Sequence, residues 1–270
     1  MSEEIRVAVS GACGRMGKEL VRAVVESEGV RLVSAFERSG HPRLGEDAGE
    51  VAGVGKLGVE IIDSAEQALS QAQVLVEFTY PQPTIEHLEI CASKGTRAVV
   101  GTTGFSPEQK QKIEELSKKI PILWAPNMSV GVNLLFSLVE RACQILGEDY
   151  DLEIIEAHHR LKKDAPSGTA LRLGEILARA RGWDFEKVAC YHRQGMVGER
   201  PKEQIGIQSL RAGDIVGEHT VIFSTIGERI ELTHKASSRQ TFARGAVRAV
   251  KWLWNKPAGL YSMQDCLGIK

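Results

Sequence analysis

The chain has 270 residues, 43% hydrophobic and 26% charged, with a formal net charge of −1. That length holds one large domain or two, the apolar content suffices for an ordinary core, and the near-neutral balance excludes a global drive toward nucleic acid or an anionic membrane. The five cysteines are widely spread and never form a C-x-x-C pair, so reduced thiols are expected rather than a disulfide framework or zinc knuckle. The start of the chain enters a strand pattern without a basic segment and apolar signal core, and no stretch approaches membrane-spanning length, which makes a cytoplasmic location the default.

Ile5 to Ser10 reads as a strand, Gly11-Ala12-Cys13-Gly14-Arg15-Met16-Gly17 as a glycine-rich turn, and Leu20, Val21, Val24 and Val25 as the apolar stripe of a helix. Strand, glycine turn and helix form the context in which a dinucleotide pyrophosphate sits, although the spacing is G-x-x-G-x-x-G rather than G-x-G-x-x-G. A second strand, Arg31 to Phe36, ends on Glu37, about twenty residues after the last glycine, where a carboxylate accepts from ribose hydroxyls. Arg38 follows, and a guanidinium there can pair with a 2′-phosphate, so the two residues together predict use of both NADH and NADPH. His41 to Gly58 reads as a loop with one strand remnant and no chemistry.

Gln73 to Thr79 is a buried-type strand, carried by Val74, Leu75, Val76 and Phe78 and broken by Pro81 and Pro83 ahead of a helix from Thr84 to Lys94. Arg97 to Val100 is the next strand, leading into Gly101-Thr102-Thr103-Gly104; Ser106-Pro107-Glu108 then opens a helix with a cap and a first-turn proline. Ile120 to Trp124 precedes Ala125-Pro126-Asn127-Met128. In an open parallel sheet ligands bind at the carboxyl ends of strands, so the glycine turn, Glu37, Thr79 to Pro81, Gly101 to Thr103 and Ala125 to Met128 should share one rim. The expected first domain is doubly wound α/β (Rossmann-type) over 1–129.

Val132 to Leu146 reads as a long amphipathic helix and Tyr150 to Ala157 as a buried strand. Glu156-Ala157-His158-His159-Arg160-Leu161-Lys162-Lys163-Asp164-Ala165-Pro166-Ser167-Gly168-Thr169 then crowds two histidines, three cations and a Ser-Gly-Thr turn between that strand and a helix from Thr169 to Arg181. Ser167 and Thr169 are N-cap types, so free backbone N–H groups can face an anion there, beside histidines able to give a proton. Adjacent strand histidines point to opposite faces and no cysteine completes a set, so no metal site is expected. Trp183 to Gln204 looks irregular; strands Ile205 to Arg211, Glu218 to Ile226 and Arg229 to Lys235 follow, the last two joined at Gly227-Glu228. This is an α+β domain with a mixed or antiparallel sheet, over 130–239. A helix from Thr241 to Trp254 closes the pattern, and periodicity leaves open which domain it joins.

With these residues laid out, the chain resembles the dihydrodipicolinate reductase family along nearly its whole length. The resemblance is carried by Val9 to Gly17, Gly101 to Gly104, Ala125 to Asn133, Glu156 to Arg160 with Lys162 and Asp164 to Ala170, and Arg211 to His219. It implies hydride transfer from NADH or NADPH to the cyclic dicarboxylate 4-hydroxy-tetrahydrodipicolinate (or dihydrodipicolinate), giving tetrahydrodipicolinate in diaminopimelate and lysine biosynthesis. It implies His158 as proton donor and Lys162 as its cationic partner, with His159, Ser167, Gly168 and Thr169 at the substrate. Lys163 occupies a position that the family leaves variable. For the cofactor it implies Gly11, Ala12, Cys13, Gly14, Arg15, Met16, Glu37, Arg38, Gly101, Thr102, Thr103, Ala125, Pro126, Asn127, Met128 and Arg239. A homotetramer built through the second-domain sheet, and a return of 240–270 to the first domain, follow from the same resemblance. Two alternatives stand beside it: another two-domain NAD(P)-dependent dehydrogenase, or a nucleotide sensor without catalysis.

Overall fold

Alternating β-branched runs and amphipathic segments dictate the first half of the chain, and a computed structural model describes residues 4–269. The order begins Ile5–Ser10 (β1), Arg15–Val25 (α1), Val30–Phe36 (β2), Ala48–Ala52 (α2), Ile61–Ile62 (β3), Ala65–Gln71 (α3), Val74–Glu77 (β4), Pro81–Lys94 (α4), Arg97–Val100 (β5), Pro107–Ser117 (α5) and Pro121–Trp124 (β6). It continues with Val130–Leu146 (α6), Asp151–His158 (β7), Gly168–Arg181 (α7), Phe185–Val188 (α8), Ala189–Cys190 (β8), Ile205–Arg211 (β9), Gly217–Thr225 (β10), Glu228–Ala236 (β11), Gln240–Leu253 (α9), Gly259–Tyr261 (β12) and Met263–Leu267 (α10).

The described chain forms two compact units, one running to Val130 and resuming at Arg239, the other Gly131–Ser238. The first holds a seven-stranded sheet in the order β12-β6-β5-β4-β1-β2-β3, parallel at every pairing. Burial on both faces explains the unbroken apolar runs: Val7, Val9, Val74, Val76 and Val99 enter one core with Leu20, Val21, Ala246 and Val250, while Ala8, Leu75, Ala98 and Val100 enter another with Leu88 and Ile113. Because every strand points the same way, the ends of β1, β2, β4 and β5 deliver their following loops to one rim.

The second unit is a five-stranded mixed sheet, β11-β10-β7-β9-β8, in which central β7 runs antiparallel to β10 and parallel to β9. Leu152, Ile154, Ile205, Ile207, Val221 and Phe223 pack with Leu173 and Leu177 of α7 and with Val132, Phe136 and Val139 of α6. Burial therefore alternates along β10, as a sheet covered on one face requires.

Several details correct the sequence reading. Helix α4 begins at Pro81, not Thr84, because prolines are tolerated in a first turn whose N–H groups need no helical partner. The segment 41–58 is no bare loop: Asp47 caps α2 and its carboxylate also accepts from the N–H groups of Leu57, Gly58 and Val59, folding the excursion onto one side chain. Helix α3, capped by Ser64, and strand β12 at the sheet edge had no distinct periodic signal. Within 183–204 lie α8 and β8, and Arg193 and Arg200 bind Glu153 at 2.8 and 3.0 Å. The β10–β11 turn is Ile226-Gly227, one residue earlier than expected, with Gly227 at φ 97°. Finally, Val130–Asp149 is 20 residues long with mean hydropathy 1.3, enough by length and composition to cross a membrane. The expected helix was too short to show this; its buried face, including Leu135, Phe136 and Val139, packs in the second unit's core.

Candidate active site and dinucleotide site

In the first unit, the turn after β1 is shaped for close approach. A Cβ on Gly17 would lie 2.1 Å from the Gly11 carbonyl oxygen, so only glycine lets α1 start directly beneath the turn. Above it lies a groove of about 530 Å³ lined by Gly11, Gly14, Arg15, Met16, Glu37, Arg38 and Arg239. The Glu37 carboxylate accepts from the Cys13 N–H at 3.3 Å and the Arg38 N–H at 3.0 Å, which pins it at the end of β2 beside the glycine turn. Arg38 is exposed and can swing toward a phosphate. A glycine cradle, a pinned carboxylate and three arginines on one groove fit a dinucleotide.

Other expected cofactor residues enter differently. Ala12, Thr102, Ala125 and Met128 have buried side chains, and the Thr102 hydroxyl receives a 2.9 Å hydrogen bond from Thr84, so these positions offer backbone rather than side chain. Gly101 and Asn127 are half-buried, Thr103 and Pro126 exposed; Asn127 Oδ1 accepts from the Ser129 N–H at 2.9 Å, shaping its own turn. None of these positions lines the groove, nor does Cys13. The groove instead adds Asp63, Phe78, Thr79, Tyr80 and His87, which sequence reasoning did not nominate individually, although it placed Thr79 to Pro81 on the rim. Their signal was position alone: each lies at or just beyond the carboxyl end of a strand, or in the second turn of the helix that follows.

No metal site was expected, yet donor atoms of Cys13, Glu37 and His41 lie within 4.8 Å of one another. Burial, and then the Glu37 charge, push the Cys13 thiol up.

The second unit brings the charged segment together around a fully buried carboxylate. Glu156, near the end of β7, receives His158 Nδ1 at 2.6 Å and Arg211 Nη1 at 2.8 Å on Oε2, with Arg211 Nη2 at 2.7 Å and the Ser167 N–H at 3.0 Å on Oε1. Burial opposes its ionisation, but the His158 and Arg211 hydrogen bonds outweigh this and hold the carboxyl well below its usual range. Removing one partner from such a buried pair costs about 3–5 kcal/mol, whereas replacing the whole set by apolar groups is often neutral. The cluster therefore fixes geometry more than it adds stability.

Around it, His158 is mostly buried with its ring 5.2 Å from that of His219, and burial pushes His219 down to about 3, so it is neutral at physiological pH. Lys162 is half-buried and binds Asp164 at 2.9 and 3.0 Å, while Lys163 is exposed. Burial works against Asp164, yet Lys162 holds its carboxyl below the ordinary range. Ser167 caps α7: its Oγ accepts from the Ala170 N–H and lies 3.0 Å from His219 Nε2. That hydroxyl is thus committed internally; Gly168 is exposed, and Thr169 and His159 are half-exposed. Arg211, Glu156 and His219 went unnominated as site residues, although each sat inside a quoted motif; a buried charge declares itself only through its partners.

Residues 5–128 match the family profile described as the N-terminus of dihydrodipicolinate reductase, and residues 131–267 match that of its C-terminus. The chain belongs to the dihydrodipicolinate reductase family. It is 52% identical to 4-hydroxy-tetrahydrodipicolinate reductase of Citrifermentans bemidjiense over 98% of this chain and 100% of the relative. It is 54% identical to the protein of that name from Hahella chejuensis, over 98% and 99%. A solved dipicolinate-bound dihydrodipicolinate reductase from Paenisporosarcina sp. TG-14 shares 27% identity over 97% of this chain and 98% of that one, with TM-score 0.76. Amine dehydrogenase from Mycobacterium smegmatis, at 16% identity and TM-score 0.61, shares the fold, covering 97% and 96% of the two chains. As a member of the dihydrodipicolinate reductase family, the chain is an NAD(P)H-dependent oxidoreductase.

Proposed function

We propose that the chain reduces 4-hydroxy-tetrahydrodipicolinate, or the dihydrodipicolinate formed from it, to tetrahydrodipicolinate in diaminopimelate and lysine biosynthesis. The observation that carries this reading is the second-unit cluster, in which a histidine and a lysine adjoin a capped helix start able to hold carboxylates. NADH or NADPH, held by the glycine turn, Glu37, Arg38 and Arg239, supplies the hydride. The chain's own residues supply the rest. His158 gives a proton from Nε2, since Nδ1 is committed to Glu156. Lys162 adds positive charge, and His159, Thr169 and the first N–H groups of α7 hold substrate carboxylate, with charge-assisted bonds worth about 1.5–3 kcal/mol each. Ser167 serves through its cap rather than as a free donor.

The same reading assigns the first unit to cofactor and Gly131–Ser238 to substrate and assembly, in a cytoplasmic homotetramer that needs neither nucleic acid nor membrane. Ile155 and Leu210, 38% and 49% exposed on the uncovered face of the second sheet, suit burial between copies. Mixing enzyme, reduced cofactor and freshly made substrate precursor tests the activity: rapid loss of reduced-nicotinamide absorbance is expected, and none would leave a nucleotide sensor or another dehydrogenase. Light scattering on the purified protein tests the tetramer.

A further inference from the structure

Glu156 touches more of the cluster than any residue assigned to substrate or proton transfer. It is fully buried, accepts from two side chains and one backbone N–H, and spreads those contacts over both oxygens. A carboxylate paired with a bidentate guanidinium is acceptor-only, so His158 Nδ1 must be the donor in their 2.6 Å contact. Nε2 is then the atom left to exchange protons. The ring has little freedom otherwise: a Cβ on Gly217 would stand 3.0 Å from Nε2, so the strand beside it is bare where the imidazole lies. The other oxygen holds the Ser167 N–H at the N-cap of α7.

We propose that Glu156, locked by Arg211, is a positioning residue that sets the tautomer of His158 with one oxygen and the start of α7 with the other. One carboxylate thereby fixes the proton donor relative to the anion-holding turn. Reduction of the C=N system takes a hydride and one proton. The proton leaves Nε2 of the imidazolium, the electron pair of that N–H bond stays on the ring, and the neutral ring keeps its Nδ1–H on Glu156 until water reprotonates Nε2. This rests on His158 being the donor.

Glu156→Gln separates the two oxygens. An amide oxygen facing Arg211 Nη2 and the Ser167 N–H leaves the amino group facing Arg211 Nη1, which loses its acceptor, and His158, which must then accept at Nδ1 and carry its proton on Nε2. Turnover should fall about 10²–10³-fold, within the usual contribution of a positioned acid, while KM for the dicarboxylate stays within about threefold. Nitrogen NMR of histidine-labelled enzyme, with the His158 signal assigned by its loss in His158→Gln, should show Nδ1–H in the wild-type neutral ring and Nε2–H in Glu156→Gln. A wild-type ring protonated on Nε2, or Glu156→Gln turnover within about threefold of wild type, overturns the proposal. Should the Gln variant fail to fold, the wild-type tautomer still decides, and Gly217→Ala, which crowds the ring without changing any charge, should lower kcat with cofactor binding retained; an unchanged kcat overturns the fixed-ring geometry. His158→Gln measured alongside separates the failures. If it keeps full turnover, the donor reading falls; if it loses turnover where Glu156→Gln does not, only the positioning role falls.

Discussion

Among the described residues, two buried glutamate–histidine pairs have the same length. Glu77 and Glu156 are both fully buried, and each meets a histidine Nδ1 at 2.6 Å. At Glu77, which ends β4, the remaining partners are the hydroxyl and N–H of Thr79, two residues on. At Glu156 they come from β9 and from the cap of α7, distant in sequence, and include a guanidinium. The first pair ties a strand end to the helix that follows it. The second joins three elements and carries its histidine beside Lys162 and an exposed helix start. A buried carboxylate–histidine contact is thus no signature of chemistry by itself; what else the carboxylate is made to hold distinguishes the two.

The sharpest way to break that contrast is to treat the histidines alike. His158→Gln is expected to lower kcat about 10²–10⁴-fold with cofactor and substrate binding kept. His87→Gln, on the groove wall, should do no more than raise the cofactor KM up to about tenfold, the worth of one hydrogen bond of ~0.5–1.5 kcal/mol. Equal losses of kcat would make the pairs equivalent. Next in size, Lys162→Ala should cost about tenfold to hundredfold more kcat/KM than Lys163→Ala, given that the half-buried lysine makes charged contacts worth ~1.5–3 kcal/mol; a larger loss at Lys163 would reverse the assignment. In the first unit, Arg38→Ala should shift the NADPH to NADH preference about tenfold to hundredfold toward NADH, and high salt should shrink the shift by screening. An unchanged ratio, from kcat/KM with each cofactor at one ionic strength, would leave Arg38 a solvated charge.

The smallest effect concerns acid stability. His219 titrates ordinarily near 6.5 but is pushed down to about 3 by burial and by His158. Between those values the unfolded chain binds the extra proton, so this group's stability is complete above about 6.5 and drains away as pH falls toward 3. Glu156, held below its ordinary 4.5, adds a contribution present above that value and lost beneath it. Calorimetry of His219→Gln should therefore show a melting temperature flatter by about 2–4 °C between neutral pH and pH ~5. A slope identical to wild type would mean that His219 does not set it.

Much of the first unit was legible because parallel strands buried on both faces leave continuous apolar runs and their loops carry glycine. Gly11, Gly14 to Gly17 and Glu37, which share one groove, stood out by spacing. What escaped was held by tertiary contact rather than period: β12 is three residues long and pairs with β6 at the sheet edge, and the 47–59 excursion closes on a single Asp47 carboxylate. In the second unit, composition announced a charged cluster without revealing its centre. Glu156 looked like an ordinary strand residue and Arg211 like a strand end; only the pairing of β7 with β9, His158 opposite Arg211, brings a guanidinium to that carboxylate. Ser167 was legible as an N-cap type at this turn, and its hydroxyl is spent on the helix it starts.

The interruption of the first unit has a consequence for the order of events during synthesis. Its seventh strand and the helix packed against α1 are both encoded after the entire second unit. At translation rates of about 5–20 residues per second, the growing chain holds the β6 edge and the apolar side of α1 uncovered for on the order of ten seconds. Meanwhile the contiguous stretch 131–238 carries its own sheet and hydrophobic core. Open strand edges pair with whatever is near, so this is the interval in which the nascent protein is most exposed to misassembly. A chain cut before Gln240 would make that exposure permanent.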